Sequence, residues 1–73
     1  MAAVPGDLVR HDGAEKVVVD VAHDGEPMAV LRDPGDLEAL HVIAAPVAGL
    51  EVVGHLSAVP GWVEHELGVW RQA

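Results

Sequence analysis

The stretch Glu15-Lys16-Val17-Val18-Val19-Asp20-Val21-Ala22 decides the class of fold. Four β-branched residues lie within eight positions, with no glycine or proline among them, and such residues suit the pleated, half-buried surface of a strand. Successive strand side chains point to opposite faces, so Val17, Val19 and Val21 are expected to line one face, with Val18 and Asp20 on the other. The alternation of Lys16, Val18 and Asp20 with three valines makes the odd-numbered face the expected core.

Outward from this strand, turn signals recur at roughly eight-to-twelve-residue intervals, the spacing of an all-β domain. Upstream, Asp12-Gly13-Ala14 is a tight connection, because Asp and Gly both tolerate positive φ. It joins the central strand to a first one, Asp7 to His11, which the turn Val4-Pro5-Gly6-Asp7 delivers. Downstream, the turn His23-Asp24-Gly25-Glu26-Pro27 leads to a strand from Met28 to Arg32. Asp33-Pro34-Gly35-Asp36 reverses the chain, with Pro and Gly suited to its two central positions. Leu37-Glu38-Ala39-Leu40 can prolong that loop as a helical turn, and Ala39 to Ala45 reads as the returning strand. Pro46-Val47-Ala48-Gly49 suits one 3₁₀ turn, and Leu50 to Leu56 is the fifth strand. The expected interior is Val17, Val19, Val21, Val30, Val42 and Val52.

From Ser57 the character changes. Ser57 can cap a helix with Pro60 in its first turn, and Val59, Val63, Leu67 and Trp70 recur near the helical period. Against this, Glu66 interrupts the stripe and Gly68 costs about 1 kcal/mol relative to Ala inside a helix. A strand from Trp62 to Trp70 would put Val63, Leu67 and Val69 on one face with His65. A short helix is the favoured reading. The chain thus divides into a small five-stranded, SH3-like β-barrel over residues 1–56 and a C-terminal aromatic tail over 57–73. That tail packs on the barrel or on a neighbouring subunit.

At 73 residues there is room for one domain, and one that buries only about 60% of the surface its unfolded chain exposes. Without cysteine there is neither a disulfide framework nor a thiolate metal site, so oligomerisation is the support that remains. Apolar residues form 51% of the chain, but no run approaches the roughly 18 of a membrane span. The N-terminal residues lack the basic start and apolar run of a secretion signal, and a cytoplasmic location is expected. Phe, Tyr, Thr, Asn and Cys are absent while Val, Ala, Gly, Asp and His abound, a skew of the kind a GC-rich bacterial genome produces.

That composition leaves little for covalent catalysis, with one hydroxyl nucleophile (Ser57) and one amine (Lys16), neither in a nucleophile motif. The formal net charge is −8, and the four basic residues, Arg10, Lys16, Arg32 and Arg71, are dispersed. Phosphate backbones and anionic membranes are held by clustered basic side chains, so neither nucleic acid nor membrane is expected as a partner. The pairs His11-Asp12 and His23-Asp24 and the run Glu64-His65-Glu66 invite a metal reading. Adjacent strand residues point apart, however, and no His-x-x-x-His spacing occurs, so no metal site or cofactor is expected. His41 and His55 read as ordinary strand histidines, and no catalytic residue is assigned.

Val4-Pro5-Gly6-Asp7-Leu8-Val9, then Glu15 to Val21, then Met28-Ala29-Val30-Leu31-Arg32 resembles the small SH3-like, KOW-type barrels of bacteria over residues 4–56. In these a Gly-Asp enters the first strand and the next two strands form a hairpin. The resemblance implies the fold, and a protein that binds other macromolecules without catalysis. The basic patch and aromatics of the nucleic-acid-binding members are missing here. A fainter likeness links Met1 to Val9 with Val18-Val19-Asp20 to the hydrogenase-maturation chaperones. Their function rests on a Cys after the initiator Met, where this chain has Ala2.

The expected function is therefore that of a protein-interaction, assembly or accessory subunit that acts as a homo-oligomer. Its expected interface is Trp62, Val63, Leu67 and Trp70, because tryptophan is enriched at interfaces and both tryptophans lie in the tail. The alternative is a small ligand-binding or catalytic barrel using His and carboxylate residues.

Overall fold

In a computed structural model of the chain, residues 3–34, 42–67 and 69–73 are described. Among these residues seven strands form: β1 (Asp7–His11), β2 (Ala14–Ala22), β3 (Met28–Arg32), β4 (Ile43–Pro46), β5 (Glu51–His55), β6 (Trp62–Glu66) and β7 (Val69–Gln72). Two 3₁₀ turns, Val47–Gly49 and Leu56–Ala58, flank β5, and no α-helix occurs among the described residues. The first five strands make one antiparallel sheet in the order β4-β3-β2-β1-β5, and β6 and β7 make a separate hairpin. Among the described residues β4 does not pair with β5, so the sheet is not closed.

Local chemistry accounts for the turns. Asp12 and Gly13 both have positive φ, 49° and 77°, and His11 pairs with Ala14 around them. That is a two-residue type I′ hairpin, whose twist matches that of the strands it joins. The 3₁₀ turn before β5 is tied back to the β2–β3 turn, where the Val47 N–H donates to the Pro27 carbonyl at 3.0 Å. The Gly35-Asp36 reversal, the Leu37–Leu40 helical turn, the start of the returning strand at Ala39–His41, and Gly68 lie outside the described residues.

The core differs from the expected one. Val9, Val18, Ala29, Leu31 and Ala45 are buried together with Ala3, and Val21, Val47 and Leu50 pack against them. Of the six valines expected inside, only Val17 is buried, and it lies outside this cluster. Val19, Val21 and Val30 are half-buried, while Val42 and Val52 are 47% and 45% exposed. For β2 the physical reason is a bulge. Val18 pairs with Leu31 and Asp20 with Val30, leaving Val19 as the extra residue, so Val18 and Val21 share a face despite their odd spacing. Lys16 occupies the core face as well, with only its ammonium reaching out to Asp33, as amphipathic side chains do.

The tail is a β-hairpin and not the helix expected there. Trp62 pairs with Gln72, Val63 with Arg71, Glu64 with Trp70 and Glu66 with Val69, leaving His65 in a bulge. A helix cannot start at Pro60 because Gly61 has φ +89°, in the left-handed region. Val59 accepts a hydrogen bond from Trp62 N–H at 3.4 Å, so Val59-Pro60-Gly61-Trp62 is a type II turn. The hairpin's base is closed by Ala73 N–H donating to the Gly61 carbonyl at 2.7 Å.

Both edges of the large sheet are blunted. β4 is four residues long and ends in Pro46, and β5 is bulged between its pairings to Leu8 and Val9, leaving Val53 as the extra residue. Short strands, proline and bulges discourage pairing with a further strand. No helix among the described residues is long and apolar enough to cross a membrane.

Candidate functional site

A polar cluster forms where β1, β5, the second 3₁₀ turn and the hairpin meet. It begins with Val4-Pro5-Gly6-Asp7. Asp7 N–H donates to the Val4 carbonyl at 3.0 Å, and Gly6 has φ +95°, so this is a second Val-Pro-Gly type II turn. The Asp7 carboxylate reinforces it, Oδ2 accepting from Val4 N–H at 2.9 Å. Asp7 is buried to 8% exposure, and the β1–β5 register puts His55 directly opposite.

His55 caps the 3₁₀ turn that follows it. Its Nδ1 accepts the Ser57 N–H at 3.1 Å and lies 2.8 Å from Ser57 Oγ. An accepting Nδ1 is unprotonated, so the neutral ring carries its proton on Nε2, which lies 3.9 Å from Asp7 Oδ1. Trp70 of β7 meets the same ring edge-on, with centroids 5.2 Å apart and planes at 84°. Its Nε1 is buried without a hydrogen-bond partner among the described residues. Trp70 also sits on Gly6, where an added Cβ would lie 2.4 Å from Trp70 Nε1 and 2.9 Å from His55 Nε2. Only glycine fits there, for reasons of both φ and space.

The four interface residues expected from sequence are divided between the two faces of the hairpin. Trp62 and Trp70 are half-buried, Trp70 on the body of the protein, whereas Val63 is 52% exposed and Leu67 96% exposed. Val63 and Arg71 share a face by their pairing, as do Glu66 and Val69, and Val69 and Arg71 are two apart on β7. These four, all exposed, form the outer face, with Leu67 at the tip.

The histidines among the described residues do not converge. His11 lies near Asp12 at 3.8 Å, His23 and His65 are exposed, and His41 is outside the described residues. Among the described residues no three His, Asp or Glu side chains are gathered as a metal ion requires. The grouping of Gly6, Asp7, His55 and Ser57 is not legible within any one segment of the sequence, since it joins the first and last strands of the sheet in chain order. A cross-strand signal was available, since the start of a first strand and the end of an antiparallel fifth strand lie side by side.

Chemically, the cluster can dock a hairpin, hold the imidazole in one tautomer and polarise the Ser57 hydroxyl. No protein-family model matches the chain, and neither a curated protein nor a solved structure matches it.

Proposed function

We propose that the protein is a non-enzymatic interaction or assembly subunit, cytoplasmic and bacterial, built on a small SH3-like barrel. The fold reading is supported by the β4-β3-β2-β1-β5 order and by the single 3₁₀ turn between β4 and β5. The functional reading rests on Leu67, which stands 96% exposed at the tip of a hairpin whose outer face carries Val63 and Val69. A large apolar side chain held in water on a hairpin gains stability only when covered, and grouped apolar exposure marks interaction sites. The partner is a protein. The net charge of −8 and dispersed basic residues oppose nucleic acid and anionic membrane.

The test is a photo-crosslinking amino acid at position 67, with a second at exposed Asp24 as control. Protein adducts from position 67 alone are expected in the native host, and their absence overturns the reading.

A second reading, hydrolysis by Ser57 with His55 as base, is favoured by the 2.8 Å contact between Ser57 Oγ and His55 Nδ1. In it Oγ would pass its proton to Nδ1 as it attacks an ester carbonyl, the imidazolium, steadied by Asp7, would return that proton to the departing alkoxide as the ester C–O bond breaks, and water would then free the acid from Oγ. The cap reading explains the same contact, since Nδ1 is already engaged by Ser57 N–H and Asp7 is beyond hydrogen-bond reach. Turnover of p-nitrophenyl acetate that Ser57→Ala abolishes would favour the hydrolase.

A further inference from the structure

We infer that the occupant of the hairpin's outer face is a second copy of this chain, packed across a two-fold axis. The inference rests on the interaction-module reading and names its partner.

Two observations select a second copy. The first is charge. In a chain of net charge −8, this face carries one acid, Glu66, and one base, Arg71, beside Val63 and Val69. Arg10 is paired with Glu51 and Lys16 with Asp33, while Arg71 has no ion-pair partner among the described residues. A two-fold contact repeats every interaction, so Arg71 meets Glu66 of the partner subunit and Glu66 meets Arg71 of the partner subunit. The face is therefore self-complementary. A strongly basic partner would instead be repelled by Arg71 and drawn to the acidic turns elsewhere.

The second is geometry. With β4 and β5 both blunted against strand addition, the large sheet offers no edge for pairing, and the hairpin's outer face presents Val63 and Val69 exposed beside Leu67.

Sedimentation equilibrium from low-micromolar to sub-millimolar concentration, at physiological salt, tests the inference. Wild type is expected to reach twice 7.6 kDa. Glu66→Arg alone and Arg71→Glu alone should each be monomeric, because each places like charges across the axis. Mixing the two variants should restore a dimer containing one of each, and Val53→Lys on β5 should leave the wild-type mass unchanged. Circular dichroism of each variant shows whether it is folded, and Leu67→Asp supplies a second route to the monomer through a side chain that supports no core. A wild type that stays at 7.6 kDa throughout, or single variants that fail to recombine, overturns the inference. Adducts at position 67 to other proteins, with a monomeric wild type, would leave the interaction module standing and remove only the second copy.

Discussion

Gly6→Ala should be among the most damaging single-methyl additions in this protein, through two effects that a mutant cycle separates. The backbone effect comes from φ +95° at Gly6, where an L side chain costs roughly 1–2 kcal/mol. The packing effect comes from Trp70. A Cβ at 2.4 Å from its indole nitrogen and 3.0 Å from its Cδ1 cannot coexist with the docked ring, so Trp70 must leave. Truncating a fully buried aromatic costs about 3–5 kcal/mol, and for a half-buried one about half of that, roughly 1.5–2.5 kcal/mol. The two sum to about 2.5–4.5 kcal/mol, against a total stability of about 4–11 kcal/mol at this length. Urea unfolding followed by far-UV circular dichroism, at one fixed protein concentration, gives the values. In a Trp70→Ala background the same Gly6→Ala change should cost the backbone share and the displacement of His55, whose Nε2 lies 2.9 Å from the added Cβ, leaving a coupling of about 1.5–2.5 kcal/mol. Equal costs in both backgrounds, within about 0.5 kcal/mol, would refute the seating of Trp70 on Gly6.

Two further outcomes are expected. Leu31→Ala, at the centre of the core, should cost about 2–5 kcal/mol, whereas Val53→Ala on the edge strand should stay within about 0.5 kcal/mol by urea midpoint. A reversed order would mean that the core has been placed on the wrong face. Asp7→Ala should cost about 1–3 kcal/mol by leaving Val4 N–H without its acceptor, and Asp7→Asn, whose amide oxygen still accepts, should retain most of that. If Asn is as damaging as Ala, the carboxylate acts through charge and not through the turn.

The elements whose causes are local are legible in the residues alone. The bounds of β1 and β3 follow from their flanking turns. Asp12-Gly13 forces a tight hairpin because its backbone needs positive φ at both positions, and the Pro and Gly around residues 46–49 enclose a 3₁₀ turn. Tertiary structure decided what depends on partners far along the chain. The core face of β2 was not legible because valines occupy both faces, and the choice turned on the Val19 bulge against β3 and on the reach of Lys16 to Asp33. The tail balanced a helical stripe against a strand pattern, and Gly61 tipped it by adopting a turn that a helix cannot continue. The site was least legible of all. Gly6, Asp7, His55 and Trp70 are separated by up to the length of the domain, and only the β1–β5 register and the docking of the hairpin put one tryptophan on one glycine.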